Sequence, residues 1–163
     1  MDMSKYIQRS ADDHPRPVPV DRLGQNGRMV ISMKTILLVE DDAIISETIG
    51  ELLSMLGYRV LTANSGEDAI CLHADVGAEG QCESIELTIM DILMPSMSGL
   101  DAIRHITDAA PDAKFILISG LSLNGKEEDE HYASLKLLGY RGFLQKPFTI
   151  SALAFMVRAA LDT

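Results

Sequence analysis

From Thr35 onward the chain alternates short apolar runs with amphipathic stretches. Ile36-Leu-Leu-Val39 is apolar at every position, the pattern of a strand covered on both faces. Asp41 or Asp42 then caps a helix whose apolar residues Ile45, Ile49, Leu52, Leu53 and Leu56 recur at helical spacing until Gly57 stops it. Residues 58–63 return as a short strand, and Ser65-x-x-Asp68 reads as a capping box that opens a second helix through Leu72. A polar, glycine-containing stretch over 77–84 leads into a strand at 85–90. Ser98-x-x-Asp101 opens a third helix with Leu100, Ile103 and Thr107 on one face, and Pro111 lies just beyond its end. Phe115-Ile-Leu-Ile-Ser119 is a fourth strand. A long polar segment, 120–130, precedes a helix through Leu138 that Gly139 ends, and Phe143-Leu144 belong to a fifth, short strand. Leu153, Met156, Val157, Ala160 and Leu161 mark a final amphipathic helix.

Leu-Gly-Tyr-Arg occurs twice, at 56–59 and 138–141. In both places a helix must stop and feed a strand, which asks for a glycine in the left-handed region. The recurrence is one local problem solved twice, not a repeat. Five βα units of this length predict an α/β fold, a doubly wound parallel sheet with helices on both faces. In such sheets ligands bind at the carboxyl ends of the strands, near the point where strand order reverses. The conspicuous polar residues all stand there: Glu40 and Asp41 after the first strand, Asp91 at the end of the third, Ser119 at the end of the fourth and Lys146 after the fifth.

Residues 1–33 interrupt this regularity. They show no sustained periodicity and contain His14-Pro-Arg-Pro-Val-Pro19, which reads as a disordered or extended N-terminal extension before a domain at 34–163. Composition narrows the function classes. The chain has 163 residues, 47% hydrophobic but only 5% aromatic and without Trp, so its core must be aliphatic and methionine-containing. Of the net charge of −10, residues 1–33 hold +1 and the remainder −11. So acidic a body is a poor match to nucleic-acid phosphates, which excludes direct nucleic-acid binding as the expected role. No apolar run reaches the roughly 18 residues of a membrane span, and the first residues lack a signal peptide's apolar stretch. Cys71 and Cys82 have no metal-ligand spacing and read as reduced thiols, which points to a cytoplasmic protein. His73, His105 and His131 sit at helical positions without a metal-like grouping.

Three carboxylates converging at one sheet edge repel one another unless a cation neutralises them. An all-oxygen site of this kind suits Mg²⁺ retaining several waters, with Mn²⁺ as the alternative ion. Lys146 can pair with Asp91 or with an anion carried on it, and Ser119 offers a hydroxyl donor. Together these groups suit phosphoryl transfer, which relies mainly on positioning and charge neutralisation, with a carboxylate able to serve as nucleophile. Taken singly each has a plainer explanation: a helix cap, a loop hydroxyl, a surface charge.

Ile36-Leu-Leu-Val-Glu-Asp-Asp42, Met90-Asp-Ile-Leu-Met-Pro-Ser-Met-Ser-Gly99, Ile116-Leu-Ile-Ser119 and Leu144-Gln-Lys-Pro-Phe148 together resemble the receiver domain of two-component response regulators over about 34–162. The resemblance implies a flavodoxin-like, five-stranded sheet of order 2-1-3-4-5 with five helices. It implies that Asp91 accepts a phosphoryl group from a histidine kinase or a histidine phosphotransfer protein. Glu40, Asp41, Asp91 and the backbone carbonyl of Leu93 would hold Mg²⁺. Lys146, whose peptide bond to Pro147 would be cis, would pair with a phosphate oxygen. Ser119 would move to the phosphoryl group and Phe143 would turn inward with it, a packing change driven by one local charge event.

Leu93 and Leu121, each two residues beyond a site residue, would shield the phosphoryl group from water, so slow autodephosphorylation is expected. The span from Ser119 to Lys146 is longer than the family's usual one, with the excess at 122–129. Glu127-Glu-Asp-Glu130 within it reads as a solvated helix start or, alternatively, a docking element. With the chain ending one helix after Lys146, the expectation is a stand-alone phosphoacceptor switch, not a turnover enzyme. It would be a monomer or weak homodimer without membrane insertion, signalling through a downstream protein target or a phosphorelay. The alternatives are a receiver cut from a longer regulator, a phosphohydrolase with an aspartyl nucleophile, and a phosphorylation-independent docking module.

Overall fold

The computed structural model describes residues 20–23, 29–76, 84–120 and 138–162. Two short strands, β1 (Val20–Leu23) and β2 (Met29–Ser32), pair antiparallel as a separate two-stranded unit with Val20 opposite Ser32. They fall within the stretch 1–33 that sequence read as irregular; strands of four residues are too short to display a period. Residues 1–19 and 24–28 lie outside the described residues.

The body follows as β3 (Thr35–Val39), α1 (Ala43–Met55), β4 (Arg59–Ala63), α2 (Gly66–Val76), β5 (Ile85–Asp91), α3 (Gly99–Ala109), β6 (Phe115–Ser119), β7 (Tyr140–Gln145) and α4 (Ile150–Leu161). Its five strands are all parallel in the order β4-β3-β5-β6-β7, which is 2-1-3-4-5 counted within this sheet. Four of the five expected helices are described; the one expected before Gly139 lies outside the described residues, as do Leu121, 122–129, Glu127, Glu130, His131 and Cys82. No described helix is long and apolar enough to cross a membrane.

β3 shows why the sheet is central. Its alternate residues serve opposite layers: Ile36 and Leu38 pack with α1 and α4, while Leu37 and Val39 pack with α2 and α3. All four are 0% exposed, a burial on the order of 6–12 kcal/mol before the entropy of ordering is charged against it. On α3 the buried residues are Gly99, Ala102, Ile103 and Ile106. Thr107, placed by sequence on the same face as Ile103, is half-buried and donates its hydroxyl to the Ile103 carbonyl. The starts of α1 and α3 follow the sequence signals, with Asp42 and Ser98 side chains accepting from backbone N–H groups, and Thr149 caps α4 in the same way. Gly57 and Gly139, the two glycines of the recurring tetrapeptide, have φ of 88° and 76° and are the positive-φ residues of the described chain.

His73 on α2 is a half-buried boundary residue. Its Nε2 lies 2.9 Å from Thr88 Oγ1 and its ring packs against Phe115. Burial pushes its pKa down to about 4. A base with a depressed folded pKa stabilises the fold above its unfolded value of about 6.5 and loses that contribution as pH falls toward 4. Between pH 7.5 and 5.0 the full linkage would be about 2 kcal/mol, and about 1 kcal/mol after discounting for partial exposure. Urea unfolding at those two pH values should show that loss in the parent chain and a smaller one in His73→Gln, which keeps a polar partner for Thr88. Equal pH dependence in both chains would mean the histidine is solvated.

Candidate functional site

The strand order reverses between β3 and β5, since β4 lies on one side of β3 and every later strand on the other. The crevice beyond their carboxyl ends is therefore the place for a ligand. Glu40 follows β3 directly, and Asp91 is the last residue of β5. The parallel ladder runs one step past the strands: Glu40 N–H donates to the Ala63 carbonyl at 3.1 Å, Ile92 N–H to that of Ile118 at 3.0 Å and Lys146 N–H to that of Ser119 at 2.7 Å. Backbone atoms of the sheet thus fix the roots of the site's side chains.

Asp41 and Asp42 separate into two jobs. Asp42 caps α1, its Oδ1 accepting from Ile44 N–H at 2.9 Å and Ile45 N–H at 3.1 Å. Asp41 is exposed and joins Glu40 and Asp91, with ligand oxygens of all three within 4.8 Å of one another. Glu40 and Asp91 are buried, at 2% and 5% exposure. Lys146 answers both, its Nζ donating to Glu40 Oε2 at 2.5 Å and to Asp91 Oδ2 at 2.7 Å. The other Asp91 oxygen, Oδ1, accepts from Leu93 N–H at 2.9 Å.

One ammonium among three carboxylates leaves the site with a formal excess of two negative charges, which a divalent cation would balance. Desolvation raises the pKa of Glu40, with the Asp91 charge adding to it and the Lys146 hydrogen bond and charge working against it. Desolvation opposes the charge on Lys146, yet its hydrogen bonds to Asp91 and Glu40 and their charges prevail, and its pKa is raised. The ammonium is therefore held charged. Asp41, on the open side, leaves one flank of the site to solvent, as a hydrated Mg²⁺ and an incoming phosphoryl group require.

Ser119 is 1% exposed at the end of β6, beside the site. Phe143 on β7 pairs in register with Leu117 and is half-buried against the apolar layer that contains Phe115 and Leu117. Leu93 is 51% exposed in the loop after Asp91. The Lys146–Pro147 peptide is cis. All the residues sequence assigned to the site except Leu121 are thus described, and the fold gathers Glu40, Asp41, Asp91, Lys146 and Ser119 at one sheet edge. Alongside them, a cleft of ≈ 660 Å³ runs between α1 and α2 from Glu40 and Asp41 past Ser46, Glu47, Thr62 and Asn64 to Asp68 and Cys71.

Gly99 is the residue whose role sequence did not reveal. Its N–H donates to the Ile92 carbonyl at 3.1 Å, closing the loop after Asp91. A Cβ there would overlap the Asp91 backbone carbonyl and stand 2.9 Å from Met90 Cγ. Space, not φ, demands glycine. Gly99→Ala should cost about 2 kcal/mol in urea unfolding by forcing the loop outward, and should weaken Mg²⁺ binding along with it. An unchanged midpoint would show that the loop yields freely.

A family model described as "Response regulator receiver domain" matches residues 36–158. The chain is 30% identical over 155 residues to Sensor kinase CckA of Brucella abortus (strain 2308), covering 95% of this chain and 15% of that protein. It is 34% identical over 113 residues to Chemotaxis protein CheY of Treponema pallidum (strain Nichols), covering 69% and 72% respectively. Among solved structures, response regulator protein TrrA from Thermotoga maritima, in complex with Mg(2+)-BeF, aligns with a TM-score of 0.64 at 29% identity, covering 79% of this chain and 100% of that one. The chain spans half or less of the length of CckA and of several other curated relatives.

Proposed function

The chain belongs to the response regulator receiver domain family, whose members are phosphoacceptor switches paired with histidine kinases, and we propose that Asp91 is the residue that takes the phosphoryl group. The observation carrying this is the pairing of a buried Asp91 with Lys146, 2.7 Å apart, inside a three-carboxylate cluster at the switch point of the sheet. Glu40, Asp41, Asp91 and the Leu93 carbonyl would hold Mg²⁺, and the ion would supply positive charge against that of the approaching phosphoryl group. Asp91 Oδ attacks phosphorus in line as the P–N bond of the phosphohistidine breaks and the imidazole departs, and Lys146 and the Ser119 hydroxyl receive oxygens of the aspartyl phosphate. Ser119 and Phe143 then move together, which carries the change to the face that a downstream protein reads. Residues 34–163 form the receiver and 1–33 its extension, in a cytoplasmic protein that is a monomer or weak homodimer.

The test uses Mg²⁺ with beryllofluoride, the mimic present in the TrrA complex. Backbone resonances of Asp91, Ser119 and Phe143 should shift together, and only when both components are present. Shifts confined to Asp91 would remove the switch from the reading, and no shift at all would remove the site. Leu93, half exposed in the loop after Asp91, stands where it would screen the aspartyl phosphate from water. Its lifetime after donor removal, with Mg²⁺ present, should accordingly be minutes or longer by Phos-tag gel; decay within seconds contradicts the screening.

A second reading, a receiver serving within a longer regulator, is favoured by the partial span of the relatives. Reading the coding sequence past Thr163 separates the two.

A further inference from the structure

The loop after β5, over 92–98, shapes the acid site through the peptide groups of Leu93. Leu93 N–H donates to Asp91 Oδ1 at 2.9 Å, which sets the rotation of the carboxylate and leaves Oδ2 for Lys146 at 2.7 Å. The Leu93 carbonyl is the backbone oxygen that would join the three acids on Mg²⁺. Backbone bonds hold only the ends of this loop, Ile92 N–H to the Ile118 carbonyl at 3.0 Å and Gly99 N–H to the Ile92 carbonyl at 3.1 Å. Between them Leu93, Pro95 and Ser96 are exposed. Two methionines turn inward instead. Met94 joins the buried cluster of Leu37, Val39 and Ala69, and Met97 packs half-buried against the same layer.

Met97 has a socket made for it. Gly66 opens α2 and is buried. Its backbone does not call for glycine, since the positive-φ glycines of the described chain are Gly57 and Gly139. Space does. A Cβ at Gly66 would stand 3.0 Å from Met97 Sδ, 3.1 Å from Met97 Cγ and 3.0 Å from Ala102 Cβ, closer than carbon atoms pack at their optimum. The missing side chain leaves a notch between the first turn of α2 and α3, and the Met97 thioether fills it. An unbranched, polarizable side chain suits so irregular a gap. Just outside, Ser96 Oγ donates to Glu67 Oε2 at 3.2 Å, an exposed bond that adds direction more than strength.

We propose that Gly66 and Met97 form a clasp by which α2 fixes the loop after β5, and that both are positioning residues for the Asp91 carboxylate and the Leu93 carbonyl. The second of these roles rests on the reading of Glu40, Asp41 and Asp91 as a Mg²⁺ site. α2 supplies none of those three acids. Through the clasp it nevertheless governs how well they and the loop carbonyl converge on one ion. Groups that orient ligands in this way commonly change metal affinity as much as a ligand's own surroundings do. The pairing is one of shape: filling the notch and removing its occupant should have the same effect on the site.

The test compares the parent chain with Gly66→Val, which fills the notch, Met97→Ala, which empties it, and Met97→Leu, which keeps the apolar bulk. Val157→Ala serves as a control, a truncation of a fully buried residue in the opposite apolar layer. The Leu93 amide proton is followed by NMR, first in EDTA and then through a Mg²⁺ titration. In EDTA, Gly66→Val and Met97→Ala should move it upfield as its bond to Asp91 weakens. Both should raise the half-saturating Mg²⁺ concentration about tenfold, while Met97→Leu stays within about threefold of the parent. Val157→Ala should lower the urea midpoint and leave both Leu93 readouts at parent values. Parent values in Met97→Ala overturn the proposal. So do equal losses in Val157→Ala, which would make the effect a general loosening of the fold. A parent Leu93 signal indifferent to Mg²⁺ would instead remove the ion from the reading of the site, and the comparison in EDTA would still decide the clasp.

Discussion

An Asp91→Asn chain given Mg²⁺ and acetyl phosphate will stay unmodified, at least about 100-fold below the parent chain on a Phos-tag gel. The substitution is isosteric and removes the nucleophile outright, because an amide oxygen carries no charge to attack phosphorus. It leaves the surroundings nearly intact. The side-chain oxygen can still accept from Leu93 N–H, and Lys146 keeps its bond to Glu40. Neutralising one of three crowded carboxylates also relieves repulsion on Glu40. Stability in EDTA should therefore be unchanged or higher by about 1 kcal/mol. That combination separates loss of chemistry from loss of fold. Equal labelling of both chains would place the acceptor elsewhere.

Lys146→Met should have the opposite character, with its main effect on stability. Methionine keeps the apolar stem and deletes the ammonium, leaving Glu40, 2% exposed, without its cation and beside Asp91. Stranding a buried charge costs about 3–5 kcal/mol, and Glu40 can limit this by taking up a proton, so about 2 kcal/mol is expected at pH 7.5 in EDTA. An acid whose folded pKa is raised destabilises the fold above that pKa and ceases to do so as pH falls through it. The gap between Lys146→Met and the parent should accordingly narrow in urea titrations as pH is lowered from 7.5 toward 5. Saturating Mg²⁺ should narrow it at pH 7.5 by supplying the missing positive charge. A gap indifferent to both pH and Mg²⁺ would mean that the loss is one of packing.

Much of this site was legible because its residues follow strands. An apolar run such as Ile36-Leu-Leu-Val39 ends in a polar residue only where the chain leaves the sheet, so Glu40 and Asp91 declared their location. What pattern could not choose was which of Asp41 and Asp42 caps α1; one residue of register along the first turn decides it, and Asp42 takes the cap. The Lys146–Glu40 bond was not legible either. β7 is two strands from β5 and three from β3, and at about 4.8 Å per strand only a long side chain running back over the end of β6 meets both acids. Gly99 and Gly50 look alike in sequence, yet one is glycine because a carbonyl occupies the space and the other has empty space above it. β7 itself extends from Tyr140 to Gln145, well beyond the two apolar residues that announced it. It pairs through its backbone, which leaves no mark in side-chain pattern.

The backbone bonds that extend the ladder past β3, β5 and β7 separate two kinds of evolutionary freedom. Glu40, Asp91 and Lys146 take their positions from peptide groups, which substitution of a neighbouring side chain does not alter. Exposed residues of the loop after β5, Leu93 and Ser96 among them, can therefore change while the carboxylates keep their spacing. Choice of partner can drift in such a molecule without disturbing its chemistry.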